Sequence, residues 1–298
     1  MNRTLRAYID LLRLQFFFAW ILLFSSGYLL ATTLYPGFSL AGLIRAALIG
    51  FFGFEAGLVL NDYVDRDYDK KDVESGGLTK YWRVFGTRPL AAGLIPARSA
   101  LTLFVLLAGI ATCLILTLPY PNSLYVFGIM VCCYALEVFY QVKKRHQTVP
   151  VAQIVGRIDF ALFPVAGYLC LGSPDIMALL YFLFFYPFAL AHLGANDAID
   201  LENDRARGMN TPTTLYGLKG TATWIAAFTV IHAVMAIVFA VRLGWIARAG
   251  FLIGLVLLAR ANFVIAKNKT PAAALAVLPL FHLTMLIYAV SIALDSVV

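Results

Sequence analysis

Charge is scarce in this chain: only 13% of its 298 residues are Asp, Glu, Lys or Arg. A soluble domain carries about 25%, so a water-soluble globular enzyme is excluded, and so is a disordered protein, which lives on charge and polarity. Cysteine is nearly absent. Its four residues, Cys113, Cys132, Cys133 and Cys170, all sit inside apolar runs. They have neither metal-ligand spacing nor partners in loops, which excludes a secreted disulfide scaffold and leaves them as small core residues. Histidine is equally rare, at four. His146, His232 and His282 show no ligand spacing, and only His192, one turn before Asn196, is placed for a role. Alternation is missing too: the apolar stretches run for about 20 residues without the period of two that a barrel strand needs.

What remains is a chain that is 61% hydrophobic, with a mean hydropathy of +0.83. That composition is polytopic membrane protein. Turn punctuation divides the apolar runs into nine expected helices, at about 14–34, 38–60, 99–118, 122–141, 150–172, 175–196, 221–241, 245–266 and 271–294. Met1 to Arg13 is charged and leads into an apolar run with no small-residue cleavage site, so it reads as the approach to a first span and not as a removable signal. Short, nearly uncharged connections follow the first, third and fifth helices; long charged ones follow the second, fourth and sixth.

The net charge of +7 reports orientation before partners, and nucleic acid is not expected. Seventeen of the 23 Lys and Arg residues lie on the side of the N-terminus, and only Arg242 and Arg248 lie opposite. Basic residues gather in cytoplasmic loops, so the N-terminus is expected inside and the C-terminus outside.

Ten of the 16 acidic residues fall in two short windows. Both carry the pattern Asn-Asp-x-x-Asp-x-x-x-Asp: Asn61, Asp62, Asp65 and Asp69, then Asn196, Asp197, Asp200 and Asp204, 135 residues later. Each copy ends an even-numbered helix on the same side. The repeat implies an all-α fold of two similar four-helix halves with a ninth helix added. On a helix, Asn61, Asp65, Asp69 and Asp62 fall at about 0°, 40°, 80° and 100°, with Asp67 at about 240° and pointing away. The second copy is expected to behave identically, with Glu202 as its outlier. Like charges one turn apart repel, so this face calls for a cation. Mg²⁺ is the economical choice, held by carboxylates and substrate phosphate oxygens. Solvated helix ends would explain one such cluster but not two matched ones. A cation transporter would place its carboxylates near the bilayer midplane, where six acids cost on the order of 15 kcal/mol at about 2.5 each. These lie at helix ends. Within the apolar runs, Arg157 and Asp159 are functional candidates by default, as either cavity residues or a mutual pair; Arg45, Glu55 and Glu137 are weaker cases.

With these motifs the chain resembles the UbiA superfamily of intramembrane aromatic prenyltransferases. The resemblance rests on Asn61-Asp62-Tyr63-Val64-Asp65-Arg66-Asp67-Tyr68-Asp69, Arg88-Pro89-Leu90, Tyr140-Gln141-Val142-Lys143-Lys144, and Asp200-Leu201-Glu202-Asn203-Asp204, in family order over the first seven helices. The separation of Arg88 from Asp69, 19 residues, is longer than the family pattern, and Glu74 stands where a basic residue is common. The extra loop, Gly76 to Thr87, is a candidate cap.

The resemblance implies one transmembrane prenyltransferase domain over 1–298, with motif loops at about 61–98 and 197–219. Its reaction would be Mg²⁺-dependent transfer from an isoprenyl diphosphate to a lipophilic acceptor, favoured as an aromatic quinone precursor, with a glycerol-phosphate ether lipid as the alternative. Asn61, Asp62, Asp65, Asp69, Asp197, Asp200 and Asp204 would be metal ligands. Asp65, Asp200, Lys144 and Tyr140 would carry catalysis. Asn61, Arg88 and Lys144 would hold the diphosphate, with Lys70, Lys71, Lys80 and Arg83 as loop candidates beside them. Arg157 and Asp159 would contact the acceptor. The expected location is the plasma membrane of a prokaryote, with the site facing the cytoplasm.

Overall fold

The computed structural model describes residues 2–74 and 76–298, and among these the regular structure is helical throughout. In chain order the helices are α1 (Arg3–Leu11), α2 (Phe17–Thr32), α3 (Leu40–Asp69), α4 (Gly77–Trp82), α5 (Ala97–Leu116), α6 (Asn122–Lys143), α7 (Val151–Gly156), α8 (Ile158–Leu169), α9 (Ile176–Ile199), α10 (Leu201–Arg207), α11 (Pro212–Ala240), α12 (Trp245–Asn268) and α13 (Pro271–Asp295). Among the described residues, eight are long and apolar enough to cross a membrane: α2 with its leading turn, α3, α5, α6, α9, α11, α12 and α13. The fifth expected span, 150–172, departs from one continuous helix. It is interrupted at Arg157 into α7 and α8, because Arg157 turns aside to meet two carboxylates, at Glu137 and Asp159.

Local signals set the helix ends. The Ser39 hydroxyl accepts from the Gly42 N–H and the Asp175 carboxylate from the Ala178 N–H, filling orphan donors at the starts of α3 and α9. Thr211 caps α11 with Pro212 in its first turn, so this helix starts well before the expected 221 and then kinks at Gly217. α3 is longer than expected as well. Its 30 residues span about 45 Å, against a hydrocarbon core of about 30 Å. The whole first acidic motif therefore stays helical and projects beyond the apolar layer. The second motif does not match it: α9 stops at Ile199, Asp200 sits at φ −90°, ψ 14°, and α10 begins afresh. The expectation of one continuous helical face fails there, and the bend turns Asp200 and Asp204 inward.

The two halves are visible in the packing. α2 lies on α3 and α3 on α5; correspondingly, α8 lies on α9 and α9 on α11. The halves join through α2 against α8, and α13 closes the bundle against α12, α2 and α9. The α2–α8 crossing depends on glycine. A Cβ on Gly27 would stand 2.1 Å from the Pro164 carbonyl oxygen, and one on Gly167 1.9 Å from that of Phe24. Small residues let backbones approach where lipid gives no hydrophobic drive between helices. The main apolar core includes Phe184 and Phe188 of α9 and Phe281 and Tyr288 of α13.

Candidate active site

The cytoplasm-expected ends of α3, α6 and α9 surround a cavity of about 270 Å³. Asn61, Asp65, Arg83, Arg88, Tyr140, Lys144, Arg157, Asp159, Asp197, Asp200 and Asp204 all line it. Of the residues expected at the site, Asp62 and Asp69 stand off its wall, each drawn away by cations, and so do the loop candidates Lys70, Lys71 and Lys80. Trp20, Phe54, Phe160, Phe163 and Leu193 form its apolar part. One compartment thus joins an acidic and basic end to an apolar end.

In the first motif every carboxylate has a cationic partner. Asp62 is held by Arg13 at 2.8 Å and by Arg83 at 2.8 Å. Asp65 meets Lys144 at 2.7 Å and Arg145 at 3.0 Å. Asp69 meets Arg88 at 2.9 Å and Arg207 at 3.4 Å. All three acids are buried, while Asp67 is exposed and pairs with Lys70. The Asn61 amide donates to Glu137 at 2.6 Å, and Glu137 also accepts from Gln141 at 2.5 Å.

Arg88 and Arg207 tie the motifs together. Arg88 reaches Asp69, Asp72 (2.9 Å) and Asp200 (3.9 Å); Arg207 reaches Asp69, Asp72 and Asp200 (3.4 Å). The Arg-Pro-Leu segment fixes Arg88 by burying Leu90 in a small core with Ala7, Leu11, Val59 and Ile95, while the Pro89 carbonyl accepts from Leu94 and Ile95. Burial works against the charge of Arg88, but Asp69, Asp200 and Asp72 outweigh it and hold the guanidinium protonated above its ordinary range. Asp72 is pushed the other way for a carboxylate: burial raises it despite both arginines.

The second motif is under-neutralised. Asp197 Oδ2 and Asn196 Oδ1 are buried without a hydrogen-bond partner. The Asp204 carboxyl is pushed up to about 7, by burial first and by the neighbouring Asp200 charge second; the Thr211 hydroxyl donates to it at 3.0 Å. Among the described residues, no three of His, Cys, Asp and Glu converge closely enough to hold a metal as they stand. Unsatisfied carboxylate and amide oxygens are nevertheless the donors that a hard divalent cation takes, so the residues present fit one at this end.

Tyr140 stands between two cations. Lys144 Nζ and Arg157 Cζ each lie 4.9 Å from its ring centroid, within cation–π range. Gly156 allows this: a Cβ there would be 2.8 Å from Tyr140 Cβ. Lys144 also donates to Gln141 Oε1, and Arg157 pairs with Glu137 at 3.4 Å and Asp159 at 3.5 Å. Arg157 and Asp159 therefore satisfy both sequence alternatives, cavity residues and a pair.

The loop from Gly76 to Thr87 folds over the cavity as α4 and its extension, with Leu78, Trp82 and Arg83 on the wall. Asp10 pins it, accepting from the Phe85 and Thr87 backbone N–H groups and from the Thr87 hydroxyl. Sequence reasoning missed Asp10, Arg13, Arg207, Gln141, Tyr81 and His282. Arg13 was visible as a charge at a span edge. Arg207 also carried a signal: it lies 135 positions after Asp72, the offset of the repeat, with the opposite charge, and the two are paired.

Comparison with known proteins follows the same lines. The model of the UbiA prenyltransferase family matches residues 17–289. The 4-hydroxybenzoate octaprenyltransferase of Cupriavidus metallidurans is 31% identical over 220 residues, covering 74% of this chain and 65% of that one. The chain spans about half to two-thirds of the length of the curated relatives it matches. Among solved structures, a digeranylgeranylglyceryl phosphate synthase superposes with a TM-score of 0.71 at 17% identity, over 99% of either chain. A UbiA homologue from Archaeoglobus fulgidus bound to DMAPP and Mg²⁺ gives 0.70 at 16%, over 96% of this chain and 98% of that one. These likenesses establish the fold, and the family match over nearly the whole length establishes kinship: this chain belongs to the UbiA prenyltransferase family.

Proposed function

We propose that the protein transfers an isoprenyl group from an isoprenyl diphosphate to a lipophilic aromatic acceptor, releasing diphosphate, and that it does so with Mg²⁺. The observation that carries this reading is the single cavity whose polar end is built from both acidic repeats and whose other end is apolar. The relatives named as 4-hydroxybenzoate octaprenyltransferases favour the aromatic acceptor.

Lys144, Arg88 and Arg207 hold the leaving diphosphate. Asp65, Asp197, Asp200 and Asp204, with Asn61 beside them, would hold Mg²⁺, which would supply Lewis-acid neutralisation of the departing charge. Asp62 and Asp69 act by fixing cations: Asp62 seats Arg13 and Arg83 under the cap, and Asp69 seats Arg88 and Arg207. The allylic C–O bond breaks with its electron pair going to diphosphate, an acceptor ring carbon supplies the pair for the new bond, and the ring proton passes to the released diphosphate. Tyr140 presents its ring to the reacting carbons while ordering Lys144 and Arg157. Arg157 and Asp159 face the acceptor. Trp82 and Leu78 of the cap exclude water, which would otherwise capture the cation.

The domain is taken as one unit, 1–298, in the plasma membrane of a prokaryote, with the N-terminus and site cytoplasmic and the C-terminus outside; the 17-to-2 division of basic residues supports that orientation. The test is product analysis by mass spectrometry after incubating purified protein with geranylgeranyl diphosphate, Mg²⁺ and a panel containing 4-hydroxybenzoate and a glycerol-phosphate ether lipid. A prenylated aromatic product is expected. Prenylation of the glycerol lipid alone would replace the acceptor class, and no product with either would sink the reading.

A further inference from the structure

A string of hydrogen bonds runs from the cap to Asn196, the first residue of the second acidic motif. Tyr81 Oη lies 2.5 Å from His282 Nδ1, His282 Nε2 lies 2.9 Å from His192 Nε2, and Asn196 Nδ2 lies 3.3 Å from the same His192 nitrogen. It joins α4, α13 and α9, which are remote in sequence. Of its two imidazoles, His192 lines the cavity.

The proton positions follow from one backbone group. Asn196 Nδ2 also reaches the His192 carbonyl oxygen at 3.2 Å. A carbonyl only accepts, so the amide nitrogen is on that side and the Asn196 orientation is fixed. The same nitrogen can only donate, so its 3.3 Å contact favours His192 Nε2 as an acceptor. In that tautomer the single proton between the two histidines sits on His282 Nε2, and His282 Nδ1 accepts from the Tyr81 hydroxyl. A neutral imidazole carries one N–H. His192 consequently carries its proton on Nδ1, and that atom has no protein partner among the described residues.

The surroundings give this N–H a direction of use. His192 stands one turn inward from Asn196 on α9, where the acidic end passes into the apolar end, with Phe188 parallel to its ring at 6.4 Å and Phe160 at 6.5 Å. An isoprenyl chain offers nothing to a hydrogen-bond donor. An oxygenated aromatic ring offers both a flat apolar face and an acceptor atom.

We infer that His192 is a specificity-determining residue: its Nδ1–H, set by His282 and Tyr81, donates to an oxygen substituent of the aromatic acceptor. His282 and Tyr81 are positioning residues, since they act by fixing the tautomer. This rests on the aromatic-transfer reading for the identity of the ligand, but the tautomer itself does not.

Two measurements decide it. In protein labelled with ¹⁵N-histidine and reconstituted in bilayers, nitrogen NMR is expected to show His192 protonated at Nδ1 and His282 at Nε2, with assignments from His192→Gln and His282→Gln. Tyr81→Phe should mix the tautomers. In turnover with 4-hydroxybenzoate, phenol and benzoate as probes, His192→Phe should raise the acceptor KM about 10- to 100-fold, the range for losing a hydrogen bond to a charged oxygen, and leave the KM for the diphosphate unchanged. His192→Gln, which keeps an N–H, should restore part of the loss. Protonation of His192 at Nε2 would overturn the inference, as would an unchanged acceptor KM in His192→Phe. If the wild type forms no product with any acceptor, the transferase reading fails, and the NMR result still decides whether His192 presents a donor to the cavity.

Discussion

Lys144 Nζ lies 2.7 Å from the Asp65 carboxylate, across the gap between the end of α6 and the end of α3. The sequence assigns these residues to different tasks, one to the diphosphate and one to the metal. Their contact shows how the first motif meets the cost of assembling charge at a membrane edge: each of its carboxylates is held by a cation. A phosphate ligand arriving with a cation carries both signs, and it can exchange with both partners without leaving either charge unpaired in a buried place.

Lys144→Met should separate the two roles. Asp65 retains Arg145 at 3.0 Å, so the fold is expected to lose only about 1–2 kcal/mol, less than the 3–5 typical of a buried pair left with no partner. Turnover should fall at least about 100-fold, the scale for removing a group that stabilises developing charge. Thermal unfolding and diphosphate release measure the two effects separately; full turnover in this variant would remove Lys144 from the mechanism.

Arg88 should not tolerate lysine. Its guanidinium meets Asp69 through Nη1 and Asp72 through Nε, a forked arrangement that a single ammonium cannot reproduce. Arg88→Lys is expected to raise the KM for the isoprenyl diphosphate about tenfold or more while preserving the helical content seen by circular dichroism. Equal KM values would mean that Arg88 only links the motifs structurally.

The pH dependence has a definite sign. The Asp204 carboxyl is pushed up to about 7 in the folded protein, whereas a free Asp ionises near 3.9. Between those values the folded chain keeps a proton that the unfolded chain has lost, so Asp204 makes stability fall as pH rises from about 4 to about 7. Without Mg²⁺ the unfolding midpoint should drop over that window, and Asp204→Asn should flatten the drop. Mg²⁺ must displace the proton, so its apparent affinity should increase over the same window. A midpoint whose pH dependence is the same in Asp204→Asn would rule out this carboxyl as the source.

Orientation can be read by labelling. Single cysteines at Gly76, beside the cap, and at Gly208, after the second motif, should react with a membrane-impermeant maleimide only when the cytoplasmic face is open. Reaction from the outer face of sealed cells would invert the topology.

Much of this arrangement was legible because its signals are local and repeated. The nine apolar segments are found in order, and the exposed position of Asp67 followed from its angle on the helix. What escaped was whatever depends on long-range encounter. Asp159 is close to Arg157 in sequence, but its other partner at the break of the fifth segment, Glu137, lies on another helix. The bend at Asp200 was missed because the two motifs read identically while only one continues its helix. His192 could be singled out by its spacing from Asn196, but His282 lies 90 residues away, and only packing of α13 against α9 brings the pair together.

The central claim is that both acidic repeats serve one diphosphate site. The most direct measurement is diphosphate release from geranylgeranyl diphosphate by detergent-purified protein, with Mg²⁺ and then with chelator, for the wild type, Asp65→Asn and Asp200→Asn. Release that needs Mg²⁺, rises with an aromatic acceptor and disappears in both variants, each of which still unfolds cooperatively, is the expected result. Near-normal release in either variant, or release indifferent to chelator, would contradict the account.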